Sequence, residues 1–207
     1  MSDTRSKILD TAERLFGEQG YAATSLRQIT AGADVNLAAI HYHFGSKDDL
    51  LDAIVVRKAA PVNLERLAML DRLEAAPGTA AVGDIVKAFL EPAFTKIDKN
   101  PGFSKLMGRL YGEGVMPGIV AKHFQDVIAR FTAAFDRALR HLSDLERQLR
   151  VQFLVGSMAH VMFGMRVSHA HHDQLPDPEM LLHALIAYAT AGLQAPASLP
   201  LKSEETR

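Results

Sequence analysis

The sequence contains no cysteine, which excludes disulfide bonds and thiolate metal sites. Its 207 residues carry a net charge of −1, so the overall charge gives no indication of a nucleic-acid-binding protein. The N-terminus, MSDTRSKILD, lacks the apolar core of a signal peptide. The most apolar run, 151–165, is too short to cross a bilayer. We therefore expect a cytoplasmic protein without a membrane partner.

Alternating strand patterns are also lacking, and apolar residues recur along the chain with the spacing of a helix. This pattern predicts an all-α fold. The first helix should cover 4–19, the next two should be capped by Thr24 or Ser25 and by Asn36, and a fourth should begin at Ser46. Pro61 should kink or break the fourth helix. The remaining predicted helices cover 62–75, 80–98, 103–112, 118–141, 144–169 and 178–193.

The short third helix lies in the stretch VNLAAIHYHFGSKDDLL and buries too little apolar surface to be explained by packing alone. Asp34 precedes it, where a tight turn favours a residue that tolerates the left-handed conformation. Two short helices joined by a tight turn describe a helix-turn-helix, whose second helix enters the major groove of DNA. Ala38 and Ala39 are small enough to let the backbone approach base edges. The alternative is that residues 36–47 only connect larger helices.

Polar side chains around the third helix suit contacts with phosphate. Tyr42 and His43 can donate to phosphate oxygens. Lys47 lies in the first turn of the fourth helix, where a cation opposes the helix dipole but suits a phosphate docked there. Residues 1–58 contain seven Lys or Arg and eight Asp or Glu, so the affinity must come from a few placed donors. We expect a modest dependence of binding on salt.

The segment TSLRQITAGADVNLAAIHYHFGSKDDLL resembles the N-terminal domain of TetR-family transcriptional repressors, and the preceding ILDTAERLFGEQGYAATS is similar to the family's first helix and loop. Two features depart from the family pattern. Asp34 stands where the family usually has Gly, and His41-Tyr42-His43 is unusually rich in histidine. The residues that carry the resemblance are Thr24, Ser25, Leu26, Arg27, Ile29, Val35, Tyr42, Phe44, Lys47, Asp48 and Leu50.

The resemblance implies a homodimeric repressor that binds double-stranded operator DNA and responds to a small-molecule effector. The version VNLAAIHYHFGSK is most similar to a subgroup that includes fatty-acid-responsive repressors, so the expected effector is mostly apolar, such as a fatty acid or an acyl derivative. Spacing and resemblance together predict DNA contacts from Thr24, Ser25, Arg27, Asn36, Leu37, Ala38, Ala39, His41, Tyr42, His43 and Lys47.

Phe and Met side chains at helical spacing in the second part of the chain could line a cavity for such an effector, with a few polar anchors. The same stripe is also typical of plain core. His160, inside the most apolar run, fits a core histidine, a polar contact in the cavity or a contact at a dimer seam. The predicted pocket residues are Phe103, Met107, Arg109, Tyr111, Phe124, Phe131, His160, Met162 and Phe163.

The predicted helices 144–169 and 178–193 are apolar on more than one side, whereas a surface helix shows one polar face. If both helices packed against the same two helices of a second copy in a four-helix bundle, this additional apolar surface would be buried. The alternative is that both helices form the centre of a monomer. The predicted dimer contacts are Val155, Ala159, Leu182, Ile186 and Tyr188.

Other classes of function find little support. His169, His171, His172 and Asp173 have the chemistry of metal ligands, but their position before Pro176 favours a solvated loop, so we predict no metal and no cofactor. An enzyme is the rival class, yet phosphate-binding and nucleophile motifs are missing. A helical adaptor is the other rival. The predicted domains are a DNA-reading head, a regulatory and dimerisation body and a disordered tail, at 1–47, 48–194 and 195–207.

Overall fold

The computed structural model describes residues 2–97, 101–164 and 177–199. Every regular element within these ranges is helical, which confirms the predicted all-α fold. None of the described helices is long and apolar enough to cross a membrane. The elements are α1 (Ser2–Gln19), α2 (Leu26–Ala33), α3 (Leu37–His43), α4 (Lys47–Ala75), α5 (Val82–Ile97), α6 (Pro101–Gly112), α7 (Met116–His123), α8 (Gln125–Ala138), α9 (Asp144–Ala159), a π-helical turn (His160–Gly164) and α10 (Pro178–Gln194).

The described residues form two compact units, which differ in extent from the predicted domains. The first unit comprises residues 1–63 and 96–125, and the second comprises 64–95 and 126–207, as far as they are described. The first therefore contains α6 and α7 beside the predicted DNA-reading head. α6 belongs to it because it packs on α1 at Gly17. A Cβ atom at Gly17 would lie 3.2 Å from the carbonyl oxygen of Gly102 and 3.3 Å from the backbone nitrogen of Leu106.

Helix α4 runs from Lys47 to Ala75 without interruption, so the predicted break at Pro61 and the separate helix 62–75 are wrong. A proline inside a helix costs about 3 kcal/mol, because it removes one N–H donor and crowds the preceding turn. Pro61 is exposed, while its neighbours Ala59 and Val62 are buried. Burial of the apolar side of the helix offsets the cost of the proline on its outer side.

Two other predicted helices are interrupted in the structure. The predicted helix 118–141 is two helices, α7 and α8, because the backbone leaves the helical conformation at Phe124, with φ −126° and ψ 5°. The predicted helix 144–169 is α-helical only as far as Ala159, after which the π-helical turn begins. The end of that prediction and the histidine cluster at 169–173 lie outside the described residues.

The first unit is held together by an apolar core and by ion pairs between α1 and α4. The carboxylate of Glu13, which is 5% exposed, binds Nη2 of Arg57 at 2.8 Å and Nζ of Lys58 at 3.4 Å. Nη1 of Arg57 also binds Asp10 at 2.7 Å. The largest fully buried side chains of this core include Ile8, Leu9, Phe16, Ile29, Ile40, Leu50 and Ile54.

The second unit has an apolar core that includes one buried cation. The guanidinium of Arg66, which is 4% exposed, lies 4.4 Å from the ring centroid of Phe89, and its Nε donates to the Phe89 carbonyl at 2.7 Å. Burial lowers the pKa of Arg66 to about 10. The surrounding core contains Leu70, Ile85, Leu90, Phe131, Phe135, Leu154, Leu182 and Leu185.

Residues 195–199 of the predicted disordered tail are held against α9. Arg150 donates from Nη1 to the carbonyl oxygens of Leu193 at 3.1 Å and Ala195 at 2.7 Å. Glu146, which is 2% exposed, accepts from the backbone N–H of Ser198 at 2.8 Å and of Leu199 at 3.1 Å. The hydrogen bonds from Ser198 lower the pKa of Glu146 to about 2. Nη2 of Arg150 also binds Oε1 of Glu146 at 2.6 Å, so a buried ion pair holds this segment, which has no apolar periodicity of its own.

Candidate nucleic-acid interface

The turn between α2 and α3 has the geometry that the sequence predicts. Ser25 and Gln28 form a capping box at the start of α2, with the Ser25 N–H donating to Oε1 of Gln28 at 2.7 Å. Asp34 ends α2 in the left-handed conformation, with φ 54° and ψ 52°. Asn36 then caps α3, since its Oδ1 accepts from the Ala39 N–H at 2.9 Å. Three local signals therefore fix the direction in which α3 leaves the turn.

Helix α3 has one buried and one exposed side. Ile40 is completely buried and attaches the helix to the core of the first unit. Leu37, Ala38, His41 and Tyr42 lie at helical spacing on the exposed side, with Leu37 41% and Tyr42 80% exposed. An exposed aromatic and an exposed leucine on so short a helix indicate a surface that contacts another molecule.

The other residues predicted on α3 lie at the margin of this face. Ala39 is half-buried, so Ala38 is the better placed of the two small residues. His43 is half-buried with its ring edge-on to Tyr42, 5.1 Å between centroids. His41 contacts the turn after the helix, because its Nδ1 lies 2.8 Å from the carbonyl oxygen of Gly45.

Thr24 does not belong to the exposed surface. It is 1% exposed, and its hydroxyl donates to the carbonyl oxygens of Gly20 at 2.8 Å and Leu15 at 3.3 Å. The predicted DNA contact from Thr24 is therefore corrected. Its side chain has a structural role, because its hydrogen bonds hold the loop before α2 in place. Ser25 and Arg27 are exposed at the start of α2, where both can reach a ligand.

Lys47 connects the start of α4 to the loop between α1 and α2. Its ammonium lies 4.3 Å from the ring centroid of Tyr21 and donates to the Tyr21 carbonyl oxygen. Burial lowers the pKa of Lys47 below its usual value, and the nearby carboxylates of Asp48 and Glu113 offset only part of this shift. The Tyr21 hydroxyl donates to Asp48. The pKa of Tyr21 is raised mainly by burial and, to a smaller extent, by this hydrogen bond. Lys47 has further N–H donors for a phosphate, but it also has a structural role that the sequence did not indicate.

Two residues near the interface were not predicted. The guanidinium of Arg5, on α1, lies 5.2 Å from the ring centroid of Phe44 at the end of α3, so it adds a cation beside the exposed face. Glu113 accepts hydrogen bonds at 3.2 Å from the backbone N–H groups of both Tyr21 and Ala22. Periodicity marks Arg5 and Glu113 only as surface positions, because their placement depends on contacts between elements distant in sequence.

The predicted pocket residues are distributed over both units. Phe103 and Met107 are buried in the first unit, whereas Phe131 is buried in the second, edge-on to Phe89 at 5.2 Å. Their helical stripes are core, which was the alternative explanation. Arg109 and Tyr111 are exposed, Phe124 and Met162 are half-buried, and the side chain of Phe163 lies outside the described residues.

Helices α9 and α10 border an open apolar groove of about 660 Å³ in the second unit. Phe153 is 62% and Tyr188 69% exposed along it, and the exposed His160 lies on its wall rather than in the core. Of the predicted dimer contacts, Val155 is also exposed, and Ala159 and Ile186 are half-buried. Leu182 is buried in the core of the unit, so its assignment to the dimer surface is corrected.

The sequence matches two family models, described as "Bacterial regulatory proteins, tetR family" over residues 8–54 and "Tetracyclin repressor-like, C-terminal domain" over residues 86–192. The chain belongs to the TetR family. The first TetR match covers α2, the turn and α3 completely, so the helix-turn-helix described above is the family's N-terminal domain. TetR-family proteins are transcriptional regulators rather than enzymes, as predicted.

Individual TetR-family relatives agree with this assignment. The HTH-type transcriptional regulator AcrR of Shigella flexneri is 48% identical over 52 residues, which cover 25% of this chain and 24% of that protein. The chain thus spans about a quarter of the length of the curated relatives that it matches. A TetR-like regulator from Rhodococcus sp. RHA1 shares the fold, with a TM-score of 0.65 and 19% identity. The match covers 92% of this chain and 95% of that one. The fatty acid degradation regulator FadR from Bacillus halodurans also shares the fold, with a TM-score of 0.68 and 14% identity. That match covers 92% of this chain and 96% of the other.

Proposed function

We propose that this TetR-family chain is a homodimeric repressor, which binds double-stranded operator DNA through α3 and leaves it when a small, mostly apolar effector binds. As a DNA-binding regulator it acts in the cytoplasm. The observation that carries the DNA-binding part is the exposed face of α3. Leu37, Ala38, His41 and Tyr42 lie on it, opposite the buried Ile40.

The size and chemistry of this face suit the major groove of B-DNA, which is about 12 Å wide and admits one α-helix. Ala38 at its centre allows close approach to base edges, and Tyr42 projects beyond it toward the backbone of the DNA. Several basic residues of the first unit are engaged in ion pairs, namely Arg14, Arg57 and Lys58. We assign phosphate contacts to Arg27 on α2, to Arg5 beside Phe44 at the end of α3, and to Lys47 at the start of α4.

The test is an in-vitro selection with the whole protein from a library of random DNA duplexes, followed by titration of the selected duplex. We expect one sequence with two-fold symmetry. Ala38→Leu should weaken its binding by roughly tenfold or more, because the larger side chain holds the helix away from the bases. Ala60→Leu, at an exposed position of α4, is the matched control and should bind like the wild type.

Both variants should unfold at the wild-type temperature, since both positions are exposed. Selection that yields no preferred duplex, or Ala38→Leu that binds like the wild type, would contradict the proposed docking of α3.

A second copy of the chain is the partner that we propose for the groove between α9 and α10. The exposed apolar side chains concentrate on these two helices, and include Leu145, Leu149, Phe153, Val155, Met180 and Tyr188. Exposed apolar patches of this kind on a monomer mark interaction surfaces. Two copies related by a two-fold axis would form a four-helix bundle and present their α3 helices to half-sites about 34–36 Å apart or a multiple of that distance.

The effector that we propose is a fatty acid or an acyl derivative. The proposal rests on the resemblance of VNLAAIHYHFGSK to fatty-acid-responsive repressors and on the fold shared with a fatty acid degradation regulator. Medium- and long-chain fatty acids and acyl thioesters should raise the melting temperature of the protein and release it from the selected duplex. Stabilisation by small, highly polar compounds alone would contradict this choice of effector.

A further inference from the structure

His41 lies on the exposed face of α3, one helical turn beyond Leu37 and Ala38. Its Nδ1 is 2.8 Å from the carbonyl oxygen of Gly45. That carbonyl belongs to the turn that ends α3. The turn is itself fixed, because the Gly45 N–H donates to the carbonyl oxygens of Ile40 at 3.3 Å and His41 at 3.1 Å, with φ +83° at Gly45. The contact therefore holds the imidazole ring in one orientation relative to the helix.

The contact with Gly45 also determines which ring nitrogen of His41 carries the proton. A carbonyl oxygen only accepts hydrogen bonds, so Nδ1 must be the donor. With the proton on Nε2 instead, two lone pairs would face each other across 2.8 Å, which is repulsive. In the neutral ring Nε2, on the opposite side, then carries a lone pair and acts as an acceptor.

An acceptor has few partners on DNA. Phosphate oxygens accept hydrogen bonds, and so do N7 and O6 of guanine, N7 of adenine and O4 of thymine. The donors in the major groove are the exocyclic amines, N6 of adenine and N4 of cytosine. We propose that His41 is a specificity-determining residue, whose Nε2 accepts a hydrogen bond from the exocyclic amine of an adenine or cytosine in the major groove of the operator. This inference rests on the proposed docking of α3.

Three variants at His41 distinguish its proposed hydrogen bond with a base amine from its hydrogen bond to the Gly45 carbonyl. His41→Asn keeps a side-chain N–H that can donate to the Gly45 carbonyl but has no atom at the position of Nε2. His41→Gln extends an amide oxygen to about that position and restores an acceptor. His41→Ala removes both groups. The side chain is exposed, so all three should unfold near the wild-type temperature.

The experiment uses the duplex selected by the whole protein as its probe. Each adenine is replaced in turn by purine, which lacks the N6 amine, and each cytosine by 2-pyrimidinone, which lacks the N4 amine. At one position in each half-site, loss of the amine should weaken binding of the wild type by about five- to tenfold, the effect of one neutral hydrogen bond. The same loss should have no effect with His41→Asn or His41→Ala, and a partial effect with His41→Gln.

Three outcomes would overturn the inference while leaving the DNA-binding proposal intact. Amine removal could have equal effects on wild type and His41→Asn at every position. Replacement of guanine by 7-deazaguanine could be the change that depends on His41, which would make Nε2 a donor. His41→Asn could weaken operator and random DNA by the same factor, which would make His41 a phosphate contact. Failure to select any duplex would instead contradict the proposed function itself.

Discussion

The ammonium of Lys47 lies 4.3 Å from the ring centroid of Tyr21 and donates a hydrogen bond to the carbonyl oxygen of the same residue. One side chain thus ties the first turn of α4 to the loop that precedes α2. Because we also assign a phosphate contact to Lys47, its substitution should change both stability and binding to DNA.

Lys47→Met keeps the apolar stem over the Tyr21 ring and removes the charge. We expect weaker binding to operator and random duplexes by similar factors, and a salt slope that falls by about 1 per subunit for one lost phosphate contact. The melting temperature should also fall, since the Tyr21 carbonyl loses a donor. Lys105→Met, on the exposed surface of α6, is the control. An unchanged salt slope would remove Lys47 from the phosphate contacts.

Tyr42 should contribute through its hydroxyl. The side chain is 80% exposed, so Tyr42→Phe should leave the melting temperature unchanged. Loss of a hydrogen bond to phosphate should weaken binding to operator and random DNA alike, by about three- to tenfold. Tyr111→Phe, at a position 62% exposed on α6, should bind like the wild type. A loss confined to the operator would show that Tyr42 reads a base instead.

Asp34 adopts a left-handed conformation that glycine adopts more readily, with φ 54° and ψ 52°. We expect Asp34→Gly to raise the free energy of unfolding by about 0.5–1 kcal/mol, and Asp34→Ala to lower it by about 1 kcal/mol. Urea titration measures both changes. An Asp34→Ala variant as stable as the wild type would contradict a cost of the left-handed conformation at this position.

Phe153 is 62% exposed on the groove that we assign to the dimer. Phe153→Asp would bury an unpaired carboxylate there, at a cost of several kcal/mol. Light scattering should then show a monomer, and affinity for the selected duplex should fall. Leu64→Asp changes a side chain that is 73% exposed and lies outside the groove, so it should remain a dimer. A wild-type protein that is monomeric at micromolar concentration would rule out this interface.

Glu146 makes stability depend on pH in a defined window. Its pKa falls from the usual 4.5 to about 2 in the folded protein, so it stabilises the fold fully above pH 4.5 and loses this contribution as the pH falls toward 2. Glu146→Gln should therefore melt at a lower temperature than wild type at pH 7, and the difference should shrink between about pH 4.5 and 2. Glu179→Gln, exposed at the start of α10, is the control. A difference that stays constant down to pH 2 would contradict the assignment.

Local signals in the sequence predicted the helix-turn-helix well. Ser25, Asp34 and Asn36 act on groups within a few residues of themselves, so a single sequence contains what their caps and turn require. Ile40 could likewise be recognised as the buried side of α3 from its spacing.

Features that depend on distant parts of the chain were harder to predict. The burial of Ala59 and Val62 overrides Pro61, and Glu146 holds residues 198 and 199 that have no pattern of their own. The aromatic stripes that predicted a pocket could equally have been core, and for Phe103 and Phe131 they are. Periodicity identifies an apolar side of a helix, but it does not distinguish a neighbouring helix from a ligand.

The close approach of α1 and α6 at Gly17 has a consequence for which amino acids this position accepts. Alanine would favour α1 as an isolated helix by about 0.5–1 kcal/mol. Its methyl group would, however, lie 3.2–3.3 Å from backbone atoms of α6, which cannot move aside as the end of a flexible side chain can. The residue that makes α1 a poorer helix is thus the one that lets it make a closer contact. Among variants of this chain that retain the same packing, position 17 should accept fewer amino acids than Leu15 and Phe16, the buried apolar positions that precede it in α1.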